Sequence, residues 1–378
     1  MDKAIGVMGT GWGAFLAQTI RHLDPHREIH LFGRDVERTT RLARKIHAKS
    51  VFWSVEKMLD AETISAVVVV LPHCLHRSVA LRAAAQTKAV FLEKPAARSC
   101  EEAAAILQAA RHAGTVLHVG ENVRFRTDIL KAQKIIRAGQ IGTPVYMLCF
   151  SMHRLAVRGW RTSVVQMGGG IFVDLAVHHV RAIRMLMGSP LRATGRVVTK
   201  LVPEMEGEDT AILNLEGDGW TAESHLSWGV ESGDLPEFVI MGSEGSLQLW
   251  PGKPYLMWYP RNPRGVRAIL QRHLPARLTS RLFRTTQHEC MRLGGHDLLG
   301  YEQELSAFLS AVDQDECSYD NAEEAIADLN IVEEASQHFC GPPPPCALTS
   351  IDRCLQVCTA SARQPQNPIE GRRASFPG

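Results

Sequence analysis

The sequence predicts two domains of different construction: an α/β domain on a doubly wound parallel sheet over residues 1–122, then an α+β domain over 123–340 on an open-faced, mainly antiparallel β-sheet. Three observations carry the prediction. The chain opens on a strand-like apolar run, Ala4-Ile-Gly-Val-Met8, that breaks into closely spaced glycines. From there to about residue 120 short apolar runs alternate with helical patterns, the signature of successive βαβ units. Beyond Gly139-Gln-Ile-Gly142-Thr-Pro144 the runs turn strand-like with few helices between them, and strands joined without helical crossovers pair antiparallel.

The first strand hands over to a helix through Gly9-Thr-Gly11-Trp12-Gly13-Ala14. In the register Gly9-x-Gly11-x-x-Ala14, Gly9 allows the tight turn, Gly11 lets a pyrophosphate approach the backbone, and Ala14 lets the helix pack close to the strand. The orphan N–H groups of that helix end would bind the anion, with Trp12 and Gly13 in the same turn. Such triplets also occur in plain strand-turn-helix units, so the context matters. A helix over 13–23, a strand over 28–32 and a helix over 36–46 complete a βαβ unit, and the unbroken apolar run 66–71, ending in Leu71, reads as a strand buried on both faces. The strand 89–92 follows, then the capping box Ser99-Cys-Glu-Glu102, a helix to about His112, and a strand over 116–119 that closes a Rossmann-type nucleotide domain.

The tip of the second strand selects the cofactor. An Asp or Glu there bonds the ribose 2′-OH of NAD, whereas Gly33 stands at that place, followed by Arg34 and, a helical turn later, Arg38. Guanidinium groups suit the 2′-phosphate, so NADP is favoured over NAD. Asp35 is the objection: at the ribose it would reverse the preference, and Arg34 would then be a solvated loop charge.

The remaining strand-like runs lie at 145–150, 194–201, 211–215, 221–228, 238–242 and 246–250, with helices expected over 298–311 and 322–336 packing back on the first domain. With 42 basic and 40 acidic residues the chain carries a formal charge of +2, which leaves no compositional case for nucleic acid. Met1-Asp2-Lys3 leads straight into a strand and no apolar stretch approaches the roughly 18 residues of a membrane helix, so a cytoplasmic protein without a transmembrane segment is expected. Nine scattered cysteines without Cys-x-x-Cys read as reduced thiols, with no metal site. Residues 341–378, opening on Gly-Pro-Pro-Pro-Pro345, read as a partly disordered appendage.

Three further segments carry chemistry. Glu93-Lys94-Pro95 ends the strand 89–92 at the carboxyl edge, where open α/β sheets bind ligands, and Pro72-His-Cys-Leu-His76 ends the preceding strand on the same edge. Gly168-Gly-Gly170 then precedes Asp174 and His178, four apart and hence on one face of a helix. Alone, each has an ordinary reading: a solvated lysine, a surface Asp/His contact.

Together and in this order these segments resemble the Gfo/Idh/MocA family, named for glucose–fructose oxidoreductase, inositol dehydrogenase and a rhizopine-catabolism protein. The resemblance covers about residues 3–340 and includes Glu121-Asn-Val-Arg124-Phe125 and Gly242-Ser-Glu-Gly245. It implies NAD or NADP and hydride transfer at a carbon of a sugar, cyclitol or related polyol or keto substrate. Carried onto matching positions, it implies that Lys94 bonds the reacting oxygen, His178 is the general acid/base and Asp174 positions substrate and histidine, with Leu71, His76 and Glu93 beside the cofactor. The chemistry agrees: removal of hydride from a carbinol needs the hydroxyl proton taken almost simultaneously, by a group titrating near neutrality. Two departures stand out, Arg181 where the family often has Asp, and the missing acidic strand tip.

The resemblance also implies a homo-oligomer formed through the second sheet. It leaves open a cofactor-bound enzyme with non-redox net chemistry through internal nicotinamide recycling, and a nucleotide-binding regulatory protein without turnover. One stretch stands outside it: Lys253 and seven arginines from Arg261 to Arg284, with no acid between Glu244 and Glu289. It reads either as a basic flap that holds the phosphates of a phosphorylated or nucleotide-linked substrate or touches an anionic membrane surface, or as a solvated lid or subunit contact.

Overall fold

The structure, a computed structural model, describes residues 3–260, 289–337 and 351. The seven arginines of the 253–284 segment, and the appendage apart from residue 351, lie outside the described residues.

Six strands, β1 (Ala4–Met8), β2 (Ile29–Phe32), β3 (Ser50–Phe52), β4 (Ile64–Val69), β5 (Ala89–Glu93) and β6 (Leu117–Gly120), form a parallel sheet in the order β3-β2-β1-β4-β5-β6. Helices α1 (Gly13–Leu23), α2 (Val36–Lys45), α3 (Val55–Asp60), α4 (His76–Ala85) and α5 (Cys100–Ala113) connect them. The order reverses direction at β1/β4, and the crevice outside the carboxyl ends of those two strands is where such a sheet takes a ligand. Both faces are covered: Val67, Val68 and Val69 are all completely buried, which explains why β4 is an unbroken apolar run. Three-residue β3 was not foreseen, because an edge strand that short has no periodicity to read.

The second sheet is mixed. Strands β7 (Pro144–Met152), β8 (Arg192–Thr199), β9 (Thr210–Gly217), β10 (Trp220–Ser227), β11 (Phe238–Gly242), β12 (Gly245–Leu249), β13 (Tyr255–Pro260) and β14 (Glu289–Arg292) run in the order β14-β13-β12-β11-β7-β10-β9-β8. All neighbours are antiparallel except β7 and β10. The fold class is the one the sequence predicts. β13 and β14 were not foreseen, since Pro251, Gly252 and Pro254 make the approach to β13 read as loop.

Helices α6 (Thr127–Arg137), α7 (Val164–Met167) and α8 (Val177–Leu186) lie within this half. The last two helices, α9 (Tyr301–Gln314) and α10 (Asp320–Ser336), return to the first: α9 packs on α1, and α10 lies against α5 and β6 on one side and α8 and β8 on the other. No helix among the described residues is long and apolar enough to cross a membrane, and no cluster of His, Cys, Asp or Glu among them could hold a metal. Among the described residues, Cys74, Cys100, Cys149, Cys290 and Cys317 form no disulfide.

Candidate active site

One cleft of about 1030 Å³ runs from the glycine turn to the start of α8. Gly9 sits at φ +112°, and a Cβ there would lie 2.3 Å from the Val70 carbonyl oxygen, so only glycine makes this turn. A Cβ on Gly11 would meet nothing within 4 Å, leaving that backbone open to the cleft. The close helix-to-strand approach falls at Gly13, 3.4 Å from Val70 Cβ on the same test, rather than at Ala14. No side chain caps the first turn of α1. A pyrophosphate fits this arrangement: bare backbone, glycine where it must approach, and an uncapped helix start.

At the other end of the nucleotide half, Gly33, Arg34, Asp35 and Arg38 line the cleft. A Cβ on Gly33 would lie 2.2 Å from Thr39 Oγ1, so the packing of α2 forbids any side chain at the strand tip. Asp35 Oδ1 accepts the Arg38 N–H at 2.9 Å, which makes it the cap of α2.

Leu71, Trp12 and Glu93 line the middle of the cleft. Trp12 Nε1 donates to Glu93 Oε1 at 3.0 Å, and burial pushes Glu93 up to about 7 against the nearby Lys94. His76 does not line the cleft: it is completely buried, with Nδ1 and Nε2 each 3.0 Å from a backbone carbonyl, of Pro95 and Leu71 respectively. The first turn of α4 begins at His76 and points it inward, so it ties the ends of β4 and β5 together. The wall position belongs to His73, whose Nδ1 donates to the Met167 carbonyl at 2.9 Å and whose ring burial drives down to about 3.

Lys94 follows β5 directly, and its peptide bond to Pro95 is cis. Its ammonium donates to the Asp174 carbonyl at 2.7 Å and to Asp174 Oδ1 at 2.9 Å. The glycine triplet brings Asp174 here. Gly168 ends α7 at φ +87°, and a Cβ on Gly170 would lie 2.1 Å from the Glu208 carbonyl oxygen. Glu208 Oε1 then accepts the Gly170 and Phe172 N–H groups at 3.0 and 3.1 Å, starting a π-helical turn, Phe172–Ala176, that runs into α8. Burial opposes the charge on Asp174, but Lys94, His73 and Arg161 outweigh it and hold the carboxyl below its ordinary range. Arg161 lies over Trp160 at 4.6 Å, with Nε 3.7 Å from Asp174 Oδ2.

His178 faces the same cleft, yet its partner is a different acid. Its Nδ1 is 2.8 Å from Glu121 Oε1, while Asp174 is held by Lys94. Glu121 is buried at 3% exposure. No signal in the sequence pairs it with a histidine 57 residues on. Arg181 turns away, bonding Glu324 and Asp328 of α10 at 2.8 and 2.7 Å.

Comparisons with known proteins bear on this arrangement. Residues 3–121 match the family model described as oxidoreductase family, NAD-binding Rossmann fold, and residues 129–248 match the GFO/IDH/MocA C-terminal domain. A scyllo-inositol 2-dehydrogenase (NAD(+)) of Bacillus subtilis is 29% identical over 56% of this chain, and a 1,5-anhydro-D-fructose reductase of Ensifer adhaerens 28% identical over 51%. The matched stretches span 62% and 59% of those relatives. A levoglucosan dehydrogenase solved with NADH and levoglucosan has the same fold: TM-score 0.72 at 18% identity, over 91% of this chain and 100% of that one. Glycine turn, lysine edge and glycine-led helix thus occur in an NAD-binding domain followed by its cognate C-terminal domain, and the chain belongs to the Gfo/Idh/MocA oxidoreductase family.

Proposed function

We propose that this protein is an oxidoreductase, preferring NADP(H), that moves a hydride to or from a carbinol carbon of a sugar, cyclitol or related keto substrate. The observation that carries the reading is the convergence of Lys94, Asp174 and His178 in the cleft that begins at the glycine turn. When bound there, the nicotinamide supplies the hydride acceptor or donor. In the oxidising direction His178 takes the hydroxyl proton through Nε2 as the carbon loses its hydride, and returns it in the reducing direction. Lys94 stabilises the alkoxide charge with its ammonium. Asp174 stays ionised at neutral pH, orients Lys94 and accepts from a substrate hydroxyl.

The preference for NADP(H) rests on the excluded side chain at Gly33, on Asp35 being engaged as a helix cap, and on Arg34 and Arg38 at the same end of the cleft. The charge of 253–284 extends the substrate class to phosphorylated or nucleotide-linked sugars. The open face of the second sheet is the surface for self-association. The test is nicotinamide absorbance with NADP and with NAD over a panel including scyllo-inositol, 1,5-anhydro-D-fructose, levoglucosan and a nucleotide-linked hexose. Turnover with NADP at lower KM than NAD is expected; tighter NAD binding overturns the preference, and no turnover across the panel overturns the reaction.

A further inference from the structure

We propose that Glu121 is a positioning residue for His178: its carboxylate accepts a hydrogen bond from Nδ1–H, fixes the tautomer that leaves Nε2 bare toward the cleft, and keeps an anion behind the ring once Nε2 is protonated. This rests on the reading of His178 as the acid/base. Glu121 stands at the junction of β6 and the 3-10 turn Asn122–Phe125, and its Oε1 accepts both the Val123 N–H at 3.2 Å and the His178 contact at 2.8 Å. The first bond pins the side chain to its own turn, so the carboxylate is in place before the histidine arrives. The arrangement is base, orienting acid, cleft, in the order that makes an imidazole a directional proton acceptor.

The charge distribution supports an anion at Glu121 in particular. Three carboxyls share this compartment: half-buried Glu93 from the end of β5, and buried Glu121 and Glu304, the latter from α9. Burial drives Glu93 up to about 7 and Glu304 well above the carboxylate range. Burial works on Glu121 too, but His178, Arg181 and Lys94 overcome it and hold it below the ordinary value. Asp328 of α10, Tyr301 of α9 and His179 also face the pair. Of the three compartment acids, Glu121 is therefore the carboxylate that keeps its charge beside the ring. In the oxidising step the substrate hydroxyl proton moves to Nε2, the ring becomes imidazolium, and Glu121 stays a carboxylate; in release the same proton leaves Nε2 for solvent.

The decisive measurement needs no substrate. In the full-length protein, NMR of isotope-labelled histidine reports tautomer and titration midpoint of His178, assigned by the signal lost in His178→Asn. Native protein is expected to show the Nδ1–H tautomer. Glu121→Gln, which preserves shape and removes charge, should lower the midpoint by about one unit, and Glu121→Leu should mix the tautomers. With whichever panel substrate turns over, Glu121→Gln should cut kcat by about ten- to a hundredfold with KM changed by less than about threefold, and Glu121→Asp should recover part of the loss. NADPH affinity, set at the glycine turn, checks that each variant is folded. An unchanged midpoint in Glu121→Gln with an unchanged tautomer would make Glu121 structural and overturn the proposal. Absence of turnover in native protein would count against the reaction alone, since the NMR arm decides this question separately.

Discussion

In the six-stranded sheet every residue of the run Val67, Val68, Val69 is sealed, because helices cover both faces; in the eight-stranded sheet the residues of β7 divide, Met147 and Cys149 completely buried and Tyr146 53% exposed. The open face continues through register partners: Met241 beside Tyr146, Val239 beside Leu148, Met257 beside Gln248. A sheet buried on both sides can offer a ligand only its edge, and the glycine turn, Glu93 and Lys94 all stand at that edge. A sheet with one free side carries α8 with His178 on its covered side and leaves the other side bare. The nucleotide half thus offers a ligand its edge, whereas the second half leaves a whole sheet face uncovered.

The largest expected effect tests whether chemistry and cofactor binding separate along that line. Lys94→Ala and His178→Ala should each lower kcat by about 10²–10⁴-fold while NADPH binding, followed by fluorescence, changes little. Damage from His179→Ala with a silent His178→Ala would place the acid/base elsewhere.

Acid should then unfold both halves together. His118 on β6, His73 at the cleft and His179 under the second sheet are each driven by burial to about 3. In the unfolded chain they bind protons below about 6.5, so the unfolded state takes up more protons as pH falls and stability is lost from about pH 6.5 downward. At pH 4.5 the loss is at most about 2–3 kcal/mol per histidine, read as a falling urea midpoint. A midpoint constant from pH 7 to 4.5 would mean these rings are not neutral in the fold.

A smaller effect concerns the strand tip. Arg34→Ala should weaken NADPH binding about tenfold and leave NADH unchanged, as calorimetry would show; equal losses for both would remove the 2′-phosphate from the argument. The smallest is assembly: Val239→Lys with Met241→Lys should shift a homo-oligomer toward monomer in sedimentation without altering the far-ultraviolet spectrum. A native protein monomeric at micromolar concentration would break the comparison at its second term.

Local signals made most of the nucleotide half legible. The helix expected over 13–23 is α1 to the residue, because its start is set by glycine packing and its end by Asp24. Lys94, Asp174 and His178 were legible by resemblance, and they do meet in the cleft. What could not be read is who holds whom. Asp174 and His178 stand four apart, yet one is tied to Lys94 and the other to Glu121, since the π-helical turn and the distant β6 junction come from tertiary packing that no spacing announces. The inward turn of His76 escaped for the same reason, because the exit of β4 carries two histidines, and which of them starts the helix decides which faces the cleft.

The helix α10 has one more consequence. Its Asn321 Oδ1 accepts the Val119 N–H of β6 at 2.5 Å, while its Asp328 receives both Arg181 and Arg184 from α8. A single rod therefore closes a hydrogen-bond row in one sheet and, with Glu324 beside Asp328, sets two acids against two cations beneath the other. Heat should not find a seam between the halves: a scanning calorimeter should record one endotherm, and cutting the chain ahead of α10 should leave a nucleotide half with an unsealed strand and a substrate half carrying unpaired charge, neither able to melt as a domain of its own.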